Sequence, residues 1–237
     1  MLKSTKCVVT TSWDDGNSLD LKLADLLSKY NLKGTFYIPK ECEHRSLSDT
    51  EIKELDSRFE IGAHTLTHPD LTLIEQKRAN EEIFQSKRYL GDLLGKRIEM
   101  FCYPKGHYNQ NIIESLKRGG FIGARTTENF NFDFPSKPFR IATTIHVHPL
   151  EMIAIRGHFD REKKVHLPFY CYYNWVWLAR ATFSYVHKSG GVWHLWGHSW
   201  EIEKYDMWRM IEHVFKYVAG RKNVSYLMNN ELVQKEN

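Results

Sequence analysis

Two aspartates stand side by side near the start of the chain, directly after an apolar and β-branched run. Val8 to Trp13 predicts a strand, and Asp14 and Asp15 follow where that strand ends and a turn begins at Gly16. Adjacent residues at an extended strand tip point in different directions, so one carboxylate can bind a cation while the other stays free nearby. A plain turn is the alternative, because Asp and Gly are common turn formers.

Two histidines four residues apart follow another apolar segment, in the run from His64 to His68. This spacing places both imidazoles on one side of a helical turn. Neutral imidazoles suit zinc and similar ions, and a carboxylate as third ligand would leave one coordination position open for water. Taken alone, the pair can equally be surface or capping histidines in a chain that has 12 histidines. Together with Asp15, the pair predicts a catalytic metal site.

The elements that must position these residues alternate between short strand-like runs and longer amphipathic stretches, which is typical of a parallel α/β fold. About seven strands are predicted, over Cys7–Trp13, Gly34–Ile38, Phe59–Ala63, Ile98–Tyr103, Phe121–Thr126, Ile141–His148 and Gly191–Trp196. Helices are predicted over Leu19–Tyr30, Ile74–Leu94, Asn111–Arg118, Trp175–His187 and Tyr205–Ala219. In a barrel of this kind, the strand tips meet over one mouth and carry the chemistry.

The whole-chain composition indicates one globular unit. With 42% hydrophobic and 26% charged residues, the chain can bury a core, and its length of 237 residues fits a single α/β barrel. We therefore predict one domain over residues 1–237, with its motifs within 8–201. The net charge of +4 is spread without a basic run, which argues against nucleic acid as a partner.

Cysteine spacing and the N-terminus bear on location. The four cysteines are far apart, so we expect free thiols in a reducing compartment. The first strand begins too early to leave room for a signal-peptide core. The longest apolar stretches are well short of the ~20 residues that a membrane span needs. We expect a cytoplasmic protein with no membrane partner; its oligomeric state stays open.

The two motifs together are similar to those of a known family. Thr11 to Gly16 resembles the aspartate-pair motif of the polysaccharide deacetylases, also called the NodB-homology group or carbohydrate esterase family 4, and His64 to His68 resembles its histidine motif. The resemblance extends with decreasing clarity to about His198. It implies a single distorted, NodB-like (β/α) barrel of about seven parallel strands. It also implies that Asp14 is the base and that Asp15 joins both histidines on one divalent metal.

The third motif of the family departs from its usual pattern here. Cys102 stands where the family carries the arginine that pairs with the base, and Lys105 replaces an aromatic residue of the acetyl pocket. Arg125, at the tip of the next strand, could supply the missing guanidinium, because neighbouring strand tips meet over a barrel mouth. An ordinary surface ion pair is the alternative for Arg125. The resemblance places Tyr103, Pro104 and Lys105 at the substrate.

The last apolar strand ends in a histidine, His198, which resembles the family's general acid. A histidine whose pKa is near neutrality can hold a proton for a departing amine. His194 is the rival, although its earlier position in the run predicts a buried structural role. Trp196 is a candidate platform for a sugar ring, with core packing as the alternative. His146 and His148 share one strand face and could bind a second ion, but nothing in the sequence completes a ligand set.

The implied activity is hydrolysis that removes acetyl groups from N-acetylated sugars or oligosaccharides, a non-peptide carbon–nitrogen bond cleavage. Zinc is the predicted metal, with cobalt, manganese and nickel also compatible with one Asp and two His ligands. The alternatives are hydrolysis of another amide or of an acetyl ester, and a carbohydrate-binding protein that has lost catalysis. A purely structural metal site would need a fourth protein ligand.

Overall fold

A parallel sheet wrapped by helices forms the part of the chain that the computed structural model describes, which is residues 7–150, 167 and 169–234. The strands are β1 (Cys7–Asp14), β2 (Thr35–Ile38), β3 (Glu60–Ala63), β4 (Met100–Cys102), β5 (Gly123–Arg125), β6 (Ile145–His146), β7 (Gly191–Gly197) and β8 (Val224–Tyr226). The helices are α1 (Leu19–Lys29), α2 (Asp49–Asp56), α3 (Gln76–Leu94), α4 (Gln110–Arg118), α5 (Trp175–Ser189), α6 (Ser199–Lys204), α7 (Trp208–Val218) and α8 (Asn229–Gln234).

The strand order is β5-β4-β3-β2-β1-β7-β6, and every pairing is parallel. The short β8 pairs with the first half of β1, through Cys7 to Val9. All eight residues of β1 are buried, as expected of a central parallel strand covered on both faces. Because the strands run in one direction, the carboxyl ends of β1, β3, β4, β5 and β7 meet at the same edge of the sheet.

The segment before β6 joins the two edges of the sheet. The Ile141 amide donates to the Ala124 carbonyl of β5 at 2.9 Å, and the amide of Thr126, directly after β5, donates to the Ile141 carbonyl at 2.8 Å. A few residues later, the Thr144 amide donates to the His194 carbonyl of β7 at 2.8 Å. The predicted distorted (β/α) barrel is therefore confirmed, and its closing segment is irregular chain with the two-residue β6.

The predicted strands are all present, some with shorter bounds, whereas several smaller elements were missed. The segment predicted as one helix over Tyr205–Ala219 begins only at Trp208, because α6 ends at Lys204 and a turn intervenes. The sequence did carry a signal for α2: Ser48 and Glu51 form a capping box at its N-terminus. The elements β8, α6 and α8 are too short to show a period.

Two further observations concern the cysteines and the helices. All four cysteines are free thiols, as predicted. Within the described residues, no helix combines the length and the apolarity needed to cross a membrane. The single domain predicted over residues 1–237 includes residues outside the described ranges and stays a prediction.

A buried carboxyl at the base of the barrel gives a prediction about stability. Burial and the nearby charge of Glu99 raise the pKa of Glu60 to about 7, even though hydrogen bonds from Thr35 and Asn230 lower it. The pKa of Glu60 is higher in the folded state than in the unfolded state. The stabilisation that protonated Glu60 contributes is therefore complete below the unfolded-state pKa and is lost as pH rises through 7. Between pH 5 and pH 8, the unfolding free energy of Glu60→Gln should therefore fall by about 2–3 kcal/mol less than that of wild type.

Urea unfolding at both pH values measures this, with the exposed Glu114→Gln as control. Parallel pH dependence of wild type and Glu60→Gln would show that the carboxyl titrates normally.

Candidate active site

Asp14 and Arg125 form a buried ion pair between the tips of β1 and β5. The Asp14 carboxylate is 3% exposed and Arg125 is fully buried, and Nη2 of Arg125 donates to both carboxylate oxygens. The guanidinium lies over the ring of Trp196, 4.8 Å from its centroid. Burial alone would raise the pKa of Asp14, but the charges of Arg125, His64 and His198 and the Arg125 hydrogen bonds lower it to about 2. Asp14 is therefore ionised at neutral pH.

Asp15, His64 and His68 converge beside this pair. The two imidazole Nε2 atoms are 3.1 Å apart, and they lie 3.8 Å (His64) and 3.6 Å (His68) from Oδ1 of Asp15. Trp200 donates to the other carboxylate oxygen, Oδ2, at 3.0 Å. Oδ1 is buried and has no hydrogen-bond partner within the described ranges. A buried acceptor without a donor, facing two imidazole nitrogens, is the arrangement that a cation would complete.

The protonation of both histidines suits metal binding. The backbone carbonyl of Cys102 can only accept, so Nδ1 of His64 donates to it at 2.8 Å and leaves the lone pair of Nε2 facing Asp15. Burial lowers the pKa of His64 to about 4 and also lowers the pKa of His68. Both imidazoles are therefore neutral at pH 7, as a metal ligand must be.

Asp14, His64 and Cys102 also bring three donor atoms together. This set suits a cation less well, because both Asp14 oxygens already accept from Arg125. Burial raises the pKa of the Cys102 thiol well above its usual range, so the sulfur stays protonated. We therefore assign the candidate metal site to Asp15, His64 and His68.

Left-handed backbone aims these side chains. Asp15 has φ 78°, Thr65 has φ 70° and His68 has φ 57°, although none of them is glycine. Such residues cost on the order of 1–3 kcal/mol each and persist where the surroundings hold them. Gly16 follows with φ 64°, and a side chain there would meet Ile38 at 2.9 Å. The local strain lies at the residues that carry the candidate ligands.

Glu82 of α3 holds the loop between the two histidines. Its Oε2 accepts from the amides of Leu66 and Thr67, each at 2.8 Å, and its Oε1 accepts from the Thr67 hydroxyl at 2.7 Å. The carboxylate is 4% exposed. Glu82 therefore fixes the loop through three hydrogen bonds without touching either histidine.

His198, directly after β7, faces both aspartates. Its Nε2 lies 4.0 Å from Oδ2 of Asp14 and 3.8 Å from Oδ2 of Asp15, while its Nδ1 lies 2.6 Å from Oε2 of Glu201. Burial alone would lower the pKa of His198, but the Glu201 hydrogen bond and the charges of all three carboxylates raise it to about 9. The imidazole is therefore protonated at neutral pH, with Nε2–H toward the site.

His194, the rival of His198, lies away from this group. It is fully buried, its Nε2 is 2.9 Å from the Ser12 hydroxyl, and burial lowers its pKa to about 3. The buried structural position expected for His194 is thus the one observed.

Comparison with known proteins now decides the family. A family model described as "Polysaccharide deacetylase" matches residues 2–123, just over half of the chain. The chain belongs to the polysaccharide deacetylase family. The family predicted from the two sequence motifs is therefore confirmed, and the matched range contains Asp14, Asp15, His64 and His68.

Individual relatives are distant. The Bacillus subtilis protein YxkH, whose name describes a polysaccharide deacetylase, is 30% identical over 129 residues, which are 53% of this chain and 46% of YxkH. A peptidoglycan-N-acetylglucosamine deacetylase of Bacillus cereus is 26% identical over 119 residues, 49% of this chain and 43% of the relative. The matched segments thus span less than half of these relatives. A Mycobacterium smegmatis structure assigned to the polysaccharide deacetylases shares the fold, with TM-score 0.71, 14% identity and coverage of 99% and 91% of the two chains.

The departure from the family's third motif has a structural counterpart. Cys102 and Arg125 are directly paired across β4 and β5, so their side chains leave the sheet beside each other. The Cys102 thiol lies 3.7 Å from Oδ2 of Asp14, and the Arg125 guanidinium reaches the same carboxylate. The guanidinium that this chain lacks at position 102 is thus present on the neighbouring strand, while the catalytic role of Arg125 stays a prediction.

The residues predicted to contact substrate fall into two groups. Tyr103 is fully buried and donates to the Phe139 carbonyl at 3.0 Å, and Trp196 is 5% exposed between Arg125 and the His146 ring, 3.9 Å away. The packing of these two rings does not support a contact with sugar. Pro104 is buried in a short 3₁₀ turn, whereas Lys105 is exposed on a left-handed backbone with φ 58°. Lys105 is therefore the member of the set that is open to a ligand.

Three sets of contacts in the site were not predicted from the sequence, those of Glu82, Glu201 and Trp200. Glu82 was detectable as an acidic residue within the buried stripe of α3, between Ala79 and Ser86. Glu201, three residues after His198, and Trp200, the partner of Asp15, carried no such signal because their contacts depend on the turn after β7.

The role of Glu82 can be tested by metal affinity. Glu82→Ala removes all three hydrogen bonds to the histidine loop, so it should weaken zinc binding by about 10–100-fold. Glu82→Gln keeps a carbonyl acceptor for both amides and should bind zinc nearly as well as wild type. Competition with a chromophoric chelator measures both affinities. Equal affinity of Glu82→Ala and wild type would mean that the loop keeps its shape unaided.

The Asp14–Arg125 pair can be tested by stability. Arg125→Met leaves a buried carboxylate unpaired, so it should cost about 3–5 kcal/mol of unfolding free energy in the metal-free protein. Adding Asp14→Asn should recover a large part of that loss, because the unpaired charge is then absent. The pair of half-buried Arg58 and exposed Asp25, 2.7 Å apart, is the control, and Arg58→Met should cost less than about 1 kcal/mol. A deficit in the double variant equal to that of Arg125→Met would contradict the pairing.

Proposed function

We propose that this chain is a metal-dependent hydrolase of non-peptide carbon–nitrogen bonds that removes acetyl groups from N-acetylated sugars. The main support for the proposal is that a candidate base, a candidate acid and a candidate set of metal ligands lie next to one another. Asp14, an ionised carboxylate, and His198, a protonated imidazole, both border the Asp15, His64 and His68 group. Family membership supports the assignment, because the two matching motifs contribute the base and all three candidate ligands.

A divalent ion fits the residues that are present. The free Oδ1 of Asp15 and the Nε2 lone pairs of His64 and His68 form a set of one oxygen and two nitrogens, which leaves room for water and substrate. When bound, such an ion polarises a carbonyl oxygen and lowers the pKa of water. Zinc is the ion that we propose, since two neutral imidazoles and a carboxylate suit it, and cobalt, manganese or nickel would fit the same donors.

Asp14 is the base in this proposal. Both of its oxygens are fixed by Arg125, so the carboxylate cannot rotate away from the site. It stays ionised at neutral pH, as a group that accepts a proton from water must be. Arg125 is the positioning residue that keeps it charged and oriented.

His198 is the acid in this proposal. Glu201 holds Nδ1, so the Nε2–H points toward the aspartates and can be donated to the nitrogen that leaves as a free amine. The proton that Asp14 takes from water and the proton that His198 gives to the amine balance the hydrolysis. Acetate and an amino sugar are the products.

The oxyanion of the tetrahedral intermediate needs a donor from the turn after β4. Pro104 has no amide hydrogen, and the Tyr103 amide already donates to the Arg125 carbonyl at 3.2 Å. The Lys105 amide is therefore the one in the Tyr103–Lys105 turn that we propose for this role.

The sugar substrate is proposed by likeness to relatives such as the peptidoglycan-N-acetylglucosamine deacetylase of Bacillus cereus. A second amide substrate is favoured by one observation: Lys105 occupies the place of an aromatic residue of the acetyl pocket. By contrast, the hydrogen bond from Arg125 to Asp14 argues against a carbohydrate-binding protein without catalysis, because the base keeps a guanidinium partner.

Acetate release from N-acetylglucosamine oligomers by the zinc-loaded protein tests the proposal. Asp14→Asn should lower kcat by about 10²–10⁴-fold, because it removes the base while keeping the shape of the side chain. Chelation should abolish acetate release, and added zinc should restore it. Asp92→Asn, at an exposed position of α3, is the matched control and should leave kcat unchanged. Undiminished release from Asp14→Asn would rule out its role as base.

A further inference from the structure

Three histidines surround one buried carboxylate on the side of His198 away from the aspartates. Oε2 of Glu201 lies 2.6 Å from Nδ1 of His198 and 3.1 Å from Nε2 of His146, and Oε1 lies 3.6 Å from Nε2 of His148. We propose that His146, His148, His198 and Glu201 form a second divalent-metal site, which takes zinc or a similar ion and regulates the catalytic site through His198.

The fold brings these four residues together from separate elements. His146 ends β6, His148 follows two residues later, His198 follows β7, and Glu201 lies in the first turn of α6. The register of β6 and β7 places His146 beside Trp196, and their rings stack 3.9 Å apart at 12°. His146, His148 and Glu201 are 8%, 3% and 9% exposed. The donors are therefore fixed by packing and shielded from water.

The hydrogen bonds of His148 point to a cation. Its Nδ1 lies 3.2 Å from the Pro149 carbonyl, which can only accept, so Nδ1 carries the hydrogen. In the neutral imidazole, Nε2 then turns a lone pair toward Oε1 of Glu201. Two acceptors facing each other at 3.6 Å gain nothing from one another, whereas an ion between them would satisfy both.

The spacing of the donors also fits an ion. In a tetrahedral zinc site with bonds of about 2.0–2.1 Å, ligand atoms lie roughly 3.3 Å apart. The separations from Glu201 range from 2.6 to 3.6 Å, and the donor atoms of His146, His198 and Glu201 all lie within 4.8 Å of one another. His148 would move toward these three to complete a set of four. Three imidazoles and a carboxylate make a full set of four protein ligands, unlike the set of three on the other side of His198.

The consequence for catalysis rests on the proposed function. His198 faces the aspartates with Nε2 and this site with Nδ1. An ion on Nδ1 would replace the contact between Nδ1 and Glu201 that holds Nε2 toward the aspartates. Filling the site would therefore displace the proposed proton donor, so acetate release should fall as this site fills.

Titration of the metal-free chain with zinc chloride in a calorimeter tests the site by binding alone. We expect two binding events in wild type and one each in His146→Gln and His148→Gln. His107→Gln changes an exposed histidine outside the cluster and should keep both events. The double variant Asp15→Asn/His68→Gln should lose the binding event of the candidate catalytic metal site and keep that of the second site. A single event in wild type, or two events in both His146→Gln and His148→Gln, would overturn the proposal.

Acetate release during the same titration tests regulation. At two equivalents of zinc, wild type should release acetate more slowly than His148→Gln, whose side chain is not part of the proposed catalytic machinery. Two binding events in wild type without this difference in rate would overturn the regulatory role and leave the site. If the proposed function is wrong, no acetate appears at any zinc level while both binding events remain, so the two failures are distinguishable.

Discussion

The buried ion pair between Asp14 and Arg125 is the constraint on which the site depends. A carboxylate this deep in the barrel must be paired, because an isolated buried charge is strongly destabilising. The pairing ties the tip of the central strand β1 to the tip of β5, and Trp196 covers the guanidinium. On its other face Trp196 stacks on His146, which contacts Glu201, the partner of His198. The base and the acid are therefore parts of one packed unit.

The candidate metal ligands depend on a second constraint, the direction of the backbone at the strand tips. Asp15 and His68 adopt left-handed conformations that non-glycine residues rarely take, and their donor atoms converge with that of His64. Hydrogen bonds compensate for that strain: Trp200 holds the Asp15 carboxylate, and Glu82 holds the loop between the histidines. Strain at the ligands and support from outside them are typical of a site whose geometry is fixed before its ion binds.

Much of the fold and the first half of the site were predictable from sequence, for a physical reason. The strands are short apolar runs, and Asp14, Asp15, His64 and His68 lie within a few residues of them, so local pattern places them at one barrel mouth. Glu201 and Trp200 were not predictable, because their contacts depend on a turn whose path is set by tertiary packing. Arg125 lies between these cases, since its place at a strand tip raised the pairing with Asp14 as one of two interpretations, and the register of β4 and β5 decides between them.

Moving the arginine from β5 to β4 tests whether Arg125 supplies the guanidinium that the base Asp14 needs. Cys102 and Arg125 are cross-strand neighbours, so Cys102→Arg combined with Arg125→Cys moves the guanidinium to the position usual in the family while keeping the composition of the pair. The measurement is kcat/KM for acetate release by zinc-loaded protein. Arg125→Cys alone should be nearly inactive, and the exchanged variant should recover activity. Wild-type activity in Arg125→Cys, or no recovery in a folded, zinc-loaded exchanged variant, would contradict this role of Arg125.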